Sequence, residues 1–287
     1  MPGIHIVTDS GSDITPADAA ALGVTVVPLT IRFGETEYRD GIDLDVEEFY
    51  AKMAESPGLP STAAPAPGAF IEAFDAAREA GATGVVCIDL AGKMSATIDA
   101  ARNAAGEVAD RLDVRVVDSE SVSGGLRSLV RRAAEAAEAG ESLDSIEEMV
   151  RERAARTTIF GTFDTLENLK MGGRIGGAQA FLGTVLKIKP IVEVRHGEVT
   201  EAGKQRTRRK ALAWIIDKVV ATGAVEDLTL CEALAPDVDA FRAMFPEGVE
   251  YDELRLGPTI GTHGGPRTMG VSFVYPPAER SAGEPAA

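Results

Sequence analysis

The sequence predicts an α/β protein: a parallel sheet with helices on both faces, followed by a smaller α+β unit. Three observations carry this. Through the first half, short apolar runs such as HIVTDS, GVVCIDL and DVRVVDS alternate with helix-length amphipathic stretches, the pattern of strand–helix–strand crossovers. In the second half the pattern changes to helix, hairpin and strand, with His196-Gly197 at the hairpin turn of KPIVEVRHGEVTEA. Finally, 287 residues of which 45% are hydrophobic suffice for two modest domains or one large unit. The change of pattern places a parallel-sheet domain over 1–156 and an α+β domain over 157–277. The tail 278–287 is expected to be disordered.

The elements follow in order. HIVTDS reads as a buried strand opening into a loop at Thr8-Asp9-Ser10. TPADAAALG has Thr15 as N-cap, Pro16 at the first helical position and Gly23 as the stop. VTVVPLTIRF is the next strand region, and DVEEFYAKMAES and APGAFIEAFDAAREAG are helices. GVVCIDL (strand), SATIDAARNAAGEVA (helix), DVRVVDS (strand) and SVSGGLRSLVRRAAEAAEAG (helix) complete the first half. RTTIFGTFD then reads as a strand, GGAQAFLGTVLK as an apolar helix and RRKALAWIIDKVVATG as an amphipathic one. DLTLCEA, VEYDELRLG and GVSFVYP are the last strands. In such a sheet the functional loops lie at the carboxyl ends of the strands.

A net charge of −16 argues against a nucleic-acid partner. RTRRK at 206–210 is the one dense basic cluster, read as the solvated first turns of a helix. No stretch of eighteen residues is free of charge, and MPGIHIVTDS has neither a basic region nor an apolar run of signal-peptide type. Cys87 and Cys231, far apart in strand-like runs, read as buried thiols of a cytoplasmic protein. The three histidines and two cysteines lack metal-ligand spacing. TDSGSD reads as a hydrogen-bonded turn, with a Mg²⁺ loop as the alternative. GGRIGG and THGGPR match neither phosphate-loop pattern and read as turns or close backbone approaches. Ser95 reads as a helix N-cap that could also face an anion.

In order along the chain, IVTDSGSDIT, STAAPAPGAF, KMSATIDAAR, VVDSESVSGGL, LKMGGRIGGAQAFLGTVLKIKPIVEVRHGEV and IGTHGGPRTMGVSF resemble the motifs of the DegV family, whose better-studied members are the B subunits of bacterial fatty acid kinase. The resemblance implies a long-chain fatty acid in a tunnel at the domain interface, with its carboxylate held by serine, threonine and histidine. It also implies a cytoplasmic carrier without chemistry of its own and with no cofactor beyond the bound lipid. That carrier presents the carboxylate to a separate kinase and makes transient membrane contact for lipid exchange. Carried over residue by residue, Thr62, Ser95 and His263 hold the carboxylate, and Gly264 lets backbone approach it. Asp40 and Arg174 fall on positions associated with the kinase; the alternative for Arg174 is a plain surface arginine. AFLGTVLKIKPIV supplies tunnel wall.

The chain departs from the family pattern at Ala63, Ala64, Ala66, Ala91 and Gly92, where hydroxyl or amide side chains are usual, and at Arg267, where glycine is usual. Loss of hydroxyls beside a new arginine suggests that Arg267 reaches the carboxylate or stands at the tunnel mouth; the alternative is a side chain in solvent. The competing functional class is a hydrolase using Ser95 and His263, although no GxSxG elbow is present.

Overall fold

The computed structural model describes residues 3–181 and 188–277. Its strands are β1 (Ile4–Asp9), β2 (Thr25–Val27), β3 (Thr30–Phe33), β4 (Thr36–Arg39), β5 (Ser61–Ala63), β6 (Gly84–Asp89), β7 (Asp113–Asp118), β8 (Thr157–Thr162), β9 (Lys189–Arg195), β10 (Glu198–Gln205), β11 (Glu226–Glu232), β12 (Asp252–Arg255) and β13 (Met269–Val274). The helices are α1 (Pro16–Leu22), α2 (Val46–Glu55), α3 (Pro67–Glu79), α4 (Thr97–Val108), α5 (Ser123–Glu138), α6 (Leu143–Arg156), α7 (Glu167–Met171), α8 (Arg208–Thr222), α9 (Val238–Arg242) and α10 (Pro258–Gly264).

The first sheet has the order β2-β1-β6-β7 and is parallel throughout. Alternate residues of its central strands enter different cores, as the two-residue period of a strand requires. Ile6, Val86 and Ile88 pack with Leu126, Leu129 and Ile146 of α5 and α6. Val7, Val85 and Cys87 pack with Phe70, Phe74 and Ala101 of α3 and α4. Thr15 caps α1 by accepting from the Asp18 amide, and Gly23 ends it at φ 65°.

VTVVPLTIRF forms two strands in two sheets. Pro28 has no N–H to continue a ladder; β2 stays in the parallel sheet, while β3 joins an antiparallel sheet of order β4-β3-β5. A helix not foreseen, α6, is capped by Ser142, which accepts from the Ser145 amide.

The second sheet has the order β10-β9-β8-β13-β11-β12, antiparallel except for β11 beside β12. His196 and Gly197, at φ 52° and 73°, turn the β9–β10 hairpin, the left-handed pair that a two-residue hairpin turn needs. The helix expected over GGAQAFLGTVLK is not formed at its start: Gly176–Phe181 is a 3-10 turn. Gly176 has φ 48°, and a Cβ there would lie 2.5 Å from the Val199 carbonyl oxygen, so this segment hugs β10. Residues 182–187, the middle of the expected tunnel-wall segment 180–192, lie outside the described residues, as does the tail 278–287.

One face of the second sheet packs under α8, with Phe160, Leu230, Val271 and Phe273 against Leu212, Ile215 and Val219. The other face turns toward the first sheet, and α5 packs on strands of both. Charge closes this seam. Asp227 has a side chain only 1% exposed and pairs with Arg131, Arg132 and Arg153, while Glu226 pairs with Arg153 and Arg156.

Candidate functional site

A cavity runs between the two sheets. It is narrow and encloses about 960 Å³, open solvent at its mouth included. Its walls are apolar: Leu90, Val122, Ile159, Val192, Val194 and Ile260 all contribute. Strand alternation explains which residues face it. Ile159, Gly161 and Phe163 share one face of β8, with Val192 opposite Gly161 and Val194 opposite Ile159 on β9. Gly270 lies opposite Gly161, and Cys231 opposite Gly270, so two adjacent glycines make a shallow trough in the sheet surface. Burial pushes the Cys231 thiol up to about 12, which keeps this wall uncharged.

Three separate elements bring polar groups to the cavity. Thr62 lies on β5, paired with Ile31. Ser95 lies in the loop after β6, at the carboxyl end of the parallel sheet beside the point where the strand order reverses, the place where open α/β sheets bind ligands. His263 and Gly264 end α10. All four line the cavity together with Arg174.

His263 Nε2 lies 2.9 Å from Thr62 Oγ1, and its Nδ1 is buried with no hydrogen-bond partner among the described residues. Burial, helped by the nearby Arg174 guanidinium, holds its pKa down to about 4, so the ring is neutral at pH 7. An orphaned lone pair costs less than an orphaned N–H; this places the proton on Nε2, donating to Thr62 and leaving the Thr62 O–H to point at a ligand. A Cβ on Gly172 would overlap Nδ1, which gives GGRI one reason for its glycine. Arg174 donates from Nε to the Met94 carbonyl at 3.0 Å and from Nη1 to the Gly172 carbonyl at 2.6 Å. It thereby ties the Ser95 loop to the segment that covers the cavity.

Ser95 is not the N-cap of α4. That position is Ala96, without a side-chain cap, and Ser95 Oγ instead lies 2.8 Å from Thr97 Oγ1 and accepts from the Thr97 amide. Among the described residues no serine bonds His263, which bonds Thr62, and no carboxylate bonds its ring. The arrangement offers neutral donors to an anion, with the Ser95 hydroxyl turned to Thr97.

Two expected site residues lie elsewhere. Arg267 does not line the cavity; its half-exposed side chain pairs with Asp164 at 3.1 Å. Asp40 is not a rim charge but is 5% exposed and accepts from the Thr259 amide and hydroxyl. Nor do Ala63, Ala66, Ala91 and Gly92 line the cavity, and a Cβ on Gly92 would fall 2.8 Å from Asp118 Oδ2. In RTRRK, Arg208 is not solvated: it pairs with Asp237 and donates to the Arg267 carbonyl.

The sequence reading missed the acids that hold the site loops. Asp9 accepts from the amides of Gly11 and Leu90, each at 2.7 Å, and Asp118 accepts from Gly92 at 3.2 Å. Both therefore brace the loop that carries Ser95. Burial raises Asp9 to about 7 and also raises Asp89 beside it well above the ordinary carboxylate range. The visible signal was an aspartate at the carboxyl end of each of β1, β6 and β7.

Comparison with known proteins agrees with this architecture. Residues 3–276 match a family described as uncharacterised proteins of the DegV family. A DegV domain-containing protein of Deinococcus radiodurans is 36% identical over 285 residues, covering 94% of this chain and 98% of that protein. Among solved structures, a DegV family protein from Thermus thermophilus, described by its fatty acid binding, superposes with a TM-score of 0.86. It is 33% identical, covering 96% of this chain and all of the other. A stearic acid-binding protein from Eubacterium ventriosum superposes with a TM-score of 0.85 at 25% identity, covering 95% and 98%.

Proposed function

This chain belongs to the DegV family, and from that premise we propose that it binds a long-chain fatty acid, with the tail between the two sheets and the carboxylate at Thr62, Ser95 and His263. The observation that carries the reading is an apolar cavity with neutral hydrogen-bond donors gathered at one end. The solved relatives described as binding fatty acids support it.

The energetics fit such a ligand. Burying a sixteen-carbon tail contributes roughly 10 kcal/mol gross, at about 0.8 kcal/mol per methylene. An unpaired carboxylate would cancel much of that. Hydroxyls and a neutral imidazole offset the cost without locking both oxygens in a bidentate guanidinium fork. A carboxylate held in this way keeps an oxygen able to attack the γ-phosphorus of ATP. The protein is then a cytoplasmic carrier that presents its ligand to a separate kinase, with residues 1–156 and 157–277 as the two lobes around it. We assign the kinase contact to Arg174, a reading supported by its half-buried place in the cavity lining.

Organic extraction of protein purified without added lipid, followed by mass spectrometry, tests the binding. A long-chain fatty acid near one-to-one ratio is expected. No acyl chain, together with no uptake of added palmitate or oleate, overturns the reading. For the kinase step, Arg174→Ala should still bind palmitate but support acyl-phosphate formation poorly; a parental rate would remove that role.

A further inference from the structure

The helix that carries His263 is not held by its own sequence. α10 has seven residues, and its N-cap is Gly257, which has no side chain to satisfy the first amides. So short a helix has little stability of its own; its position is set by what grips it from outside. Two buried aspartates from distant parts of the chain take up its N-terminal donors. Asp13, from the turn after β1, accepts from the Gly257 amide at 3.0 Å and from Ser123 Oγ at 2.6 Å. Asp40, just past β4, accepts with one oxygen from both the amide and the hydroxyl of Thr259.

The fit around this grip is close. A Cβ on Gly257 would fall 2.8 Å from Asp13 Oδ1, and one on Gly261 would fall 2.5 Å from Tyr50 Oη. Tyr50 itself donates to the Leu256 carbonyl at 3.1 Å. One turn beyond Thr259, His263 reaches Thr62 on a different element. That contact joins two parts of the chain 201 residues apart, so its length depends on where α10 is held.

We propose that Asp13 and Asp40 are positioning residues for the carboxylate site: by capping α10 from outside they set the place of His263, and through it the hydroxyl that Thr62 offers the ligand. The inference rests on the fatty-acid reading above and gives Asp40 an inward role in place of a contact with a kinase. Holding the helix needs an acceptor oxygen, not a negative charge. At position 40, asparagine can keep the acceptor while alanine cannot; a partner contact made through charge would treat the two alike.

The test compares two ligands with the same tail, palmitate and 1-hexadecanol, in equilibrium binding to delipidated full-length protein. Asp40→Ala and Asp13→Ala should each weaken palmitate about tenfold, the size expected for one lost hydrogen bond to a buried charged group, and hexadecanol less than about twofold. Asp40→Asn should restore palmitate binding to within about twofold of the parent. Thr259→Val removes the hydroxyl from the other side of the contact while every acid stays in place. It should shift the palmitate-to-hexadecanol ratio in the same direction, and it carries the test if the alanine variants do not fold. Equal loss of both ligands, no loss of either, or an Asp40→Asn as weak as Asp40→Ala overturns the positioning role while leaving the fatty-acid reading in place. A parent protein that binds neither ligand overturns both.

Discussion

Thr62 and His263 share one hydrogen bond of 2.9 Å, and the proton in it decides what the pair can offer. With a neutral ring donating from Nε2, the threonine hydroxyl becomes the donor to the ligand and His263 acts through it. Thr62→Val and His263→Ala should each weaken palmitate binding by about 5- to 150-fold, the equivalent of roughly 1–3 kcal/mol. Because the two act in series, the double variant should lose much less than the sum. Additive losses in equilibrium binding would show that each contacts the ligand separately. Arg267 leads to the opposite expectation. Its φ is 63°, a left-handed conformation that costs a residue with a Cβ about 1 kcal/mol. Glycine adopts that backbone angle without strain. Arg267→Gly should therefore leave palmitate affinity unchanged and leave the melting temperature level or slightly higher, since the exposed pair with Asp164 contributes little. A clear fall in affinity would return Arg267 to the site.

At the scale of elements, the trough formed by Gly161 and Gly270 is where the sheet itself would hold the proposed acyl tail. A Cβ on Gly161 would meet only the Phe163 ring at 3.5 Å and the Met269 carbonyl oxygen at 3.9 Å, ordinary contacts. A larger side chain there fits the fold but fills the cavity. Gly161→Leu should keep the melting temperature near the parent's and weaken palmitate at least about tenfold, with ten-carbon decanoate affected less; titration of both acids checks it. Equal affinity for palmitate would place the tail elsewhere.

Much of this was legible in advance. Short continuous apolar runs alternating with helix-length stretches marked the parallel strands, Thr15, Pro16 and Gly23 marked α1, and His196-Gly197 marked the hairpin, because each signal is local. Motif order pointed to Thr62, Ser95 and His263, although nothing local says that they meet. Pro28 was a visible break inside a strand-like run and was read past. The burial of Asp40 and the pairing of Arg267 with Asp164 were not visible, since each depends on a partner far along the chain. The 3-10 turn at Gly176–Phe181 is likewise imposed by β10 and not by its own composition.

For the whole molecule, the buried acids give stability a direction with pH. Burial raises Asp40 to about 6, Asp9 to about 7 and Asp13 to about 8. Each binds its proton more tightly folded than unfolded, so its contribution is complete below the ordinary carboxylate range and is lost as pH rises through these values. His263, held down to about 4, works the other way: its contribution is complete above 6.5 and lost as pH falls toward 4. The melting temperature of delipidated protein should thus still be falling between pH 6 and pH 8, where Asp9 and Asp13 titrate, and Asp13→Asn should flatten that fall. A parental profile already flat over this range would mean that Asp13 is ionised throughout.

The arginines around Asp227 bear on how quickly a ligand can leave. Arg131, Arg132 and Arg153 fasten the shared helices to the second sheet through a carboxylate that is nearly inaccessible to water. Parting the sheets would strand that charge and expose both cores, which makes release by hinging slow. Parting only the Arg174–Met94 contact would instead let a ligand leave with little new surface exposed. Denaturant sensitivity follows exposed surface, so the dissociation rate of a bound fatty acid should barely change in urea too dilute to unfold the protein. If that rate instead climbs with urea as steeply as global unfolding does, the sheets part after all and the seam at Asp227 is the gate.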